Sequence, residues 1–177
     1  MSARLTLIIM GVAGSGKSTV GQLLATKLGY PFVEGDDFHS IEAKALMASG
    51  TPLTSTLRQQ WVDRLAAMLA DTTAQGQPCV LSYSGLIASQ RQQLRQAGQH
   101  IRFIYLQGPA EVLAMRLAER SGHYMPASLL QSQLDSMQSS SGETDVQPFS
   151  IDQPVKLLIQ QILLWLTFAA DLPSDNP

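Results

Sequence analysis

The segment GVAGSGKS, from Gly11 to Ser18, matches the pattern G-x-x-x-x-G-K-[ST] at each specified position. Glycine lets the backbone curl until successive N–H groups point at one set of phosphate oxygens, a path that side chains would obstruct. Gly11, Ala13, Gly14, Ser15 and Gly16 therefore form a candidate phosphate cradle. Lys17 supplies a point charge for the β- and γ-phosphates, Ser18 a hydroxyl for Mg2+, and Thr19 a further hydrogen bond to phosphate. The chemistry indicated is the binding of a nucleoside triphosphate. A dinucleotide fingerprint, G-x-G-x-x-G, does not fit, because Gly11, Gly14 and Gly16 are spaced three and then two apart.

Such a loop works only between a strand and a helix, and the flanking residues provide both. Arg4 to Met10 is a continuous apolar run rich in branched side chains, as a strand buried on both faces requires. Lys17 to Leu28 carries Val20, Leu23, Leu24 and Leu28 at helical spacing and ends at Gly29. The helix adds partial positive charge at the phosphate site. Further strands are expected at Tyr30–Glu34, Gln77–Ser82, Ile101–Leu106 and Val146–Ile151. Helices are expected at Ala43–Ser49, Arg58–Asp71, Ser89–Ala97, Glu111–Arg120, Ser128–Met137 and over the apolar run Leu157–Ala170, with a flexible polar connection at Ser139–Thr144. This alternation predicts an α/β fold, three layers deep, with about five parallel strands covered by helices on both faces. One domain, residues 1–177, is expected.

Composition removes several function classes. With 12 Lys+Arg against 14 Asp+Glu and a formal charge of −2, no cationic excess is present to neutralise a nucleic-acid backbone. No guanine-reading N-K-x-D motif accompanies the loop. The 14 residues of Leu157–Ala170 are too few to span a bilayer, so a core-packing helix or a dimer face is expected there and no membrane partner. The single cysteine, Cys79, and the absence of a signal-peptide pattern point to a reducing cytoplasm.

The loop is followed by Glu34-Gly35-Asp36-Asp37-Phe38-His39, then by MASGTPL from Met47 to Leu53, and by Arg58. Downstream come RQQLR from Arg91 to Arg95, FIYL from Phe103 to Leu106, RSGHYM from Arg120 to Met125, LQSQL from Leu130 to Leu134, and Glu143-Thr144-Asp145. In this collinear order the chain resembles the gluconate kinase family over nearly its whole length. The resemblance implies a shikimate-kinase-like P-loop fold with a mobile lid at roughly 117–140, the use of ATP and Mg2+, a homodimer, and phosphorylation of gluconate to 6-phosphogluconate.

In such an enzyme Asp36 accepts or orients the attacking hydroxyl, a role that suits a carboxylate. Glu34, with Asp36 or Asp37, supports Mg2+ through water. A solvated, capped loop is the other reading of this acidic cluster. His39, Arg58, Arg91 and His123 are the implied substrate contacts, and no second His or Cys stands at ligand spacing to make either histidine a metal site. Arg116 and Arg120, four apart, share a helix face and can clamp phosphates; they can also form an ordinary surface with Glu111 or Glu119. Adenine is expected near Ser150 to Pro154.

The family pattern changes on the acceptor side. Ala43 and Leu46 stand where the family has Asn and Lys, Ser55-Thr56-Leu57 replaces a run of aspartates, Gln60 replaces a proline, and Ile87 replaces a lysine. Two other functions therefore stand beside gluconate phosphorylation: a kinase of another small polyol or hydroxy acid, and a catalytically weak ATP-binding regulatory relative.

Overall fold

In a computed structural model, which describes residues 5–119 and 127–169, the apolar runs become the strands β1 (Thr6–Met10), β2 (Phe32–Glu34), β3 (Val80–Ser82), β4 (Ile101–Gln107) and β5 (Val146–Ser150). They pair in parallel in the order β2-β3-β1-β4-β5, with Ile8 opposite Leu81 on one side and Phe103 on the other. β1 is buried throughout, which explains why its sequence is apolar at every position and does not alternate. The helices are α1 (Lys17–Leu28), α2 (Ile41–Ala48), α3 (Ser55–Ala74), α4 (Ala88–Ala97), α5 (Ala110–Ala118), α6 (Ala127–Ser136) and α7 (Val155–Ala169). Two apolar clusters form, one including α1, α5 and α7 and the other α3 and α4, on opposite faces of the sheet. No described helix is long and apolar enough to cross a membrane.

Local chemistry fixes where helices begin. The Ser40 hydroxyl accepts the Ala43 N–H at 3.1 Å and Thr54 Oγ1 accepts the Leu57 N–H at 3.2 Å. These caps start α2 and α3 two or three residues before the apolar periodicity does. α1 turns the expected face inward at Val20 and Leu24, with Leu28 packed against the core, but Leu23 is 40% exposed and Gly21 and Ala25 are buried in its stead. Gly21 is required because a Cβ there would lie 2.5 Å from the Phe32 ring on β2. The connection 139–144, expected to be flexible, is pinned by Arg91 and Arg95. Arg95 binds Asp145 at 2.6 and 2.8 Å, and both arginines bind the Glu143 carboxylate.

Candidate active site

The C-terminal end of β1 opens directly into the cradle. Gly11, Gly14 and Gly16 have φ of +148°, +81° and +91°, backbone that residues with a Cβ rarely adopt. A Cβ on Gly11 would lie 2.6 Å from the Leu106 carbonyl oxygen, and one on Gly14 2.8 Å from that of Leu113. The loop therefore closes on the backbone around it only as glycine. Ser15 Oγ is buried with no hydrogen-bond partner among the described residues. An orphaned hydroxyl within a ring of glycine-shaped backbone at a helix N-terminus suits an anionic phosphate chain.

Lys17 Nζ donates to the Val12 carbonyl at 3.2 Å, and Ser18 Oγ donates to Glu34 at 2.5 Å. Glu34 is held from the far side by Ser82 Oγ, which itself accepts the Gly35 N–H at 3.1 Å. A carboxylate beside a serine hydroxyl at the cradle is a hard oxygen donor pair of the kind Mg2+ takes. Arg116 lies against the loop, with Nη1 4.0 Å from where a Cβ on Gly16 would stand and Nη2 donating to the Ile151 carbonyl at 2.8 Å.

From the cradle a cavity of about 1050 Å³ runs to a second cluster of polar residues. Its walls bring together Asp36, His39, Lys44 and Arg58 at one end and the loop from Ala13 to Thr19, with Arg116, at the other. Asp36 sits on a single 3₁₀ turn, Gly35–Phe38, fixed by the Trp61 Nε1–H bond to the Gly35 carbonyl at 2.7 Å and by Arg64 Nε on the Phe38 carbonyl at 2.6 Å. The Asp36 side chain is 73% exposed, and His39 Nε2 lies 3.7 Å from it. The His39 ring stacks on Trp61 at 4.0 Å, and its buried Nδ1 has no hydrogen-bond partner among the described residues. Ile151 and Gln153 line the cavity beside Arg116, within the stretch expected to meet adenine.

One expected contact is corrected. Arg91 does not line the cavity: it is fully buried. Its Nη1 donates to the Gly85 carbonyl at 2.7 Å, its Nη2 to the Ser139 carbonyl at 3.1 Å, and the rest of the guanidinium to Glu143. A guanidinium removed from water must spend its donors on protein, so Arg91 fastens the chain after β3 to the segment before β5. Burial tends to raise the Glu143 pKa, but the hydrogen bonds from Arg91 and Arg95 outweigh it and hold this carboxyl below its ordinary range. Burial lifts the Cys79 thiol to about 11, which makes it inert at neutral pH. Arg120, His123 and the stretch 120–126 of the expected lid lie outside the described residues.

A family model described as an AAA domain matches residues 7–143. A gluconokinase of Gluconobacter oxydans is 36% identical over 157 residues, covering 89% of this chain and 88% of the relative. The chain belongs to the gluconokinase family. A probable gluconokinase of Xenopus tropicalis is 34% identical over 171 residues, 88% of this chain and 90% of that one. The crystal structure of a gluconokinase from Sinorhizobium meliloti 1021 superposes with a TM-score of 0.87 at 37% identity, covering 97% of this chain and 96% of the other. Shikimate kinase from Aquifex aeolicus, at 17% identity and a TM-score of 0.62 over 93% of this chain and 98% of that one, shares the fold.

Within this gluconokinase-family frame, the aliphatic replacements Ala43, Leu46, Leu57 and Ile87 do not line the cavity. Ala43 and Leu57 are core residues and Ile87 packs against the core. They do not make the described cavity wall less polar. The sequence reading missed Lys44, a cation on the cavity wall two residues from Leu46, and the polar group Ser132, Gln133 and Ser136 on α6. Lys44 sat in plain view within α2, but residue type gave no sign of its facing direction. The α6 group lay inside LQSQL and beyond it, with nothing to mark its side chains as cavity-facing.

Proposed function

We propose that the chain transfers the γ-phosphoryl group of ATP to the terminal hydroxyl of gluconate, with Mg2+. The observation that carries this reading is the continuity of one cavity from the phosphate cradle to Asp36, His39, Lys44 and Arg58. It is found in a chain 31–38% identical to gluconokinases from several organisms. Lys17 and the cradle amides hold the phosphates, and Arg116 closes on them from α5. Ser18 and Glu34 are the residues that would hold Mg2+, which when bound neutralises phosphate charge. The acceptor oxygen bonds to the γ-phosphorus, the bond to the β-phosphate oxygen breaks, and the hydroxyl proton passes to the Asp36 carboxylate.

Lys44 and Arg58 provide the fixed positive charge that a sugar-acid carboxylate needs, in place of the lysines absent at positions 46 and 87. Arg120 and His123 belong to the same reading as phosphate and substrate contacts carried by a lid, and the protein is expected to act as a homodimer in the cytoplasm. The test is ADP formation by purified protein with ATP and Mg2+ over a panel of gluconate, other sugar acids, polyols and shikimate, with Lys17→Ala as the blank. Turnover selective for gluconate is expected. Turnover with a different acceptor would reassign the substrate, and silence across the panel with intact ATP binding would favour the regulatory role.

A further inference from the structure

We propose that Gln133 is a phosphate-reading residue of this site, a donor that the P-loop itself holds in place for the terminal phosphate of the bound triphosphate. The proposal rests on the reading of the cavity as a triphosphate site and adds to it a residue from α6.

Gln133 Oε1 accepts the Ala13 N–H at 2.7 Å, joining two residues 120 apart in sequence. The bond joins α6 to the cradle between Val12 and Gly14. Which end of the cradle this is follows from Lys17. Its Nζ donates to the Val12 carbonyl at 3.2 Å, and that carbonyl belongs to the same peptide unit as the Ala13 N–H. The lysine of this motif serves the β- and γ-phosphates. One peptide unit therefore anchors the lysine by its oxygen and Gln133 by its nitrogen, which puts the carboxamide at the terminal-phosphate end.

A carboxamide is planar, so fixing its oxygen restricts where its nitrogen lies. The two N–H donors of Gln133 Nε2 have no hydrogen-bond partner among the described residues, and the side chain lines the cavity. An amide oriented by its acceptor, with its donors unspent beside a site for negative charge, is a preorganised hydrogen-bond donor. Tethering of α6 alone does not explain the choice of glutamine, since Leu129 and Leu130 already bury that helix against the body of the protein.

Calorimetric binding of ADP and of a non-hydrolysable ATP analogue, each with Mg2+, separates the two roles without any turnover. Gln133→Ala is expected to weaken the analogue about tenfold, the loss of one hydrogen bond to a charged acceptor, while ADP stays within about twofold. Gln133→Glu keeps an oxygen for the Ala13 N–H but sets an anion where the donors stood. It is expected to lose more analogue affinity than Gln133→Ala while melting at the wild-type temperature. Equal losses for ADP and the analogue would reveal a structural tether only, and wild-type analogue affinity in Gln133→Glu would equally overturn the proposal. If the wild-type protein bound neither nucleotide, the triphosphate reading itself would fail, and this inference with it.

Discussion

The two ends of the cavity are built from different material. At the nucleotide end the work is done by backbone: three glycines at positive φ, the amides they aim, and the N-terminus of α1. The other end, proposed for the acceptor, is lined by side chains, Asp36, His39, Lys44 and Arg58, held on a 3₁₀ turn and the first turns of α2 and α3. A backbone site resists change of residue type at its glycines, because a Cβ on Gly11 or Gly14 would strike the carbonyl of Leu106 or Leu113 and one on Gly16 would be strained at φ +91°. A side-chain site can exchange one residue for a neighbour. This chain has lost the family's Asn, Lys and Asp at positions 43, 46, 57 and 87, yet the positions it filled with aliphatic groups do not line the cavity, and Lys44 and Arg58 remain on its wall.

The change with the largest expected effect is Asp36→Asn, which tests the chemistry of the acceptor end alone. It should lower kcat by about 10²- to 10⁴-fold, the usual contribution of a general base, with ATP affinity unchanged in a binding assay. Equal kcat in the variant would remove Asp36 from the transfer step. Gly14→Ala strikes the other end. A Cβ forced 2.8 Å from the Leu113 carbonyl, at φ +81°, costs on the order of 1–3 kcal/mol of backbone strain. Nucleotide affinity should fall about tenfold or more, while the acceptor KM of the residual activity should hold.

Arg91→Ala distinguishes the two ends from what supports them both. The change removes a fully buried guanidinium and its bonds to Gly85, Ser139 and Glu143, so the melting temperature should drop sharply, although Arg95 still pairs Glu143. The acceptor KM of the folded fraction at low temperature should remain, since Arg91 is not on the cavity wall. A selective rise in acceptor KM without loss of stability would return Arg91 to the substrate. The same pair sets an acid limit. The folded-state pKa of Glu143 is depressed, so its stabilisation is present above its ordinary value of 4.5 and is lost as pH falls through the lower folded value. Glu143→Gln should flatten that acid loss in a melting-temperature series against pH. The smallest effect is expected from Leu46→Lys. Restoring the family's charge at a position that does not line the cavity should alter the gluconate KM by no more than about twofold.

The division between backbone and side chain also governs what could be read from residues alone. The cradle, α1 and its closing Gly29 were legible because glycine spacing and apolar runs leave few conformational alternatives. The starts of α2 and α3 were less so, because Ser40 and Thr54 act through single capping bonds that lie outside the apolar pattern. Arg91 was misplaced for a related reason. An arginine in a motif shows its charge, but whether it faces substrate or the Glu143 carboxylate depends on a strand and a loop about 50 residues away. Gln133 went unassigned because its partner is a backbone N–H, which any residue except proline would supply.

The most direct test of the account is the product itself. Wild-type protein incubated with ATP, Mg2+ and gluconate, followed by 31P NMR, should show a phosphomonoester coupled to the terminal CH2 of the sugar acid, absent with Lys17→Ala and formed at least about 10²-fold more slowly with Asp36→Asn. Hydrolysis of ATP to inorganic phosphate alone, or a phosphorylated product that persists at full rate in Asp36→Asn, would contradict the claim that this single cavity joins a phosphate cradle to the acceptor's hydroxyl.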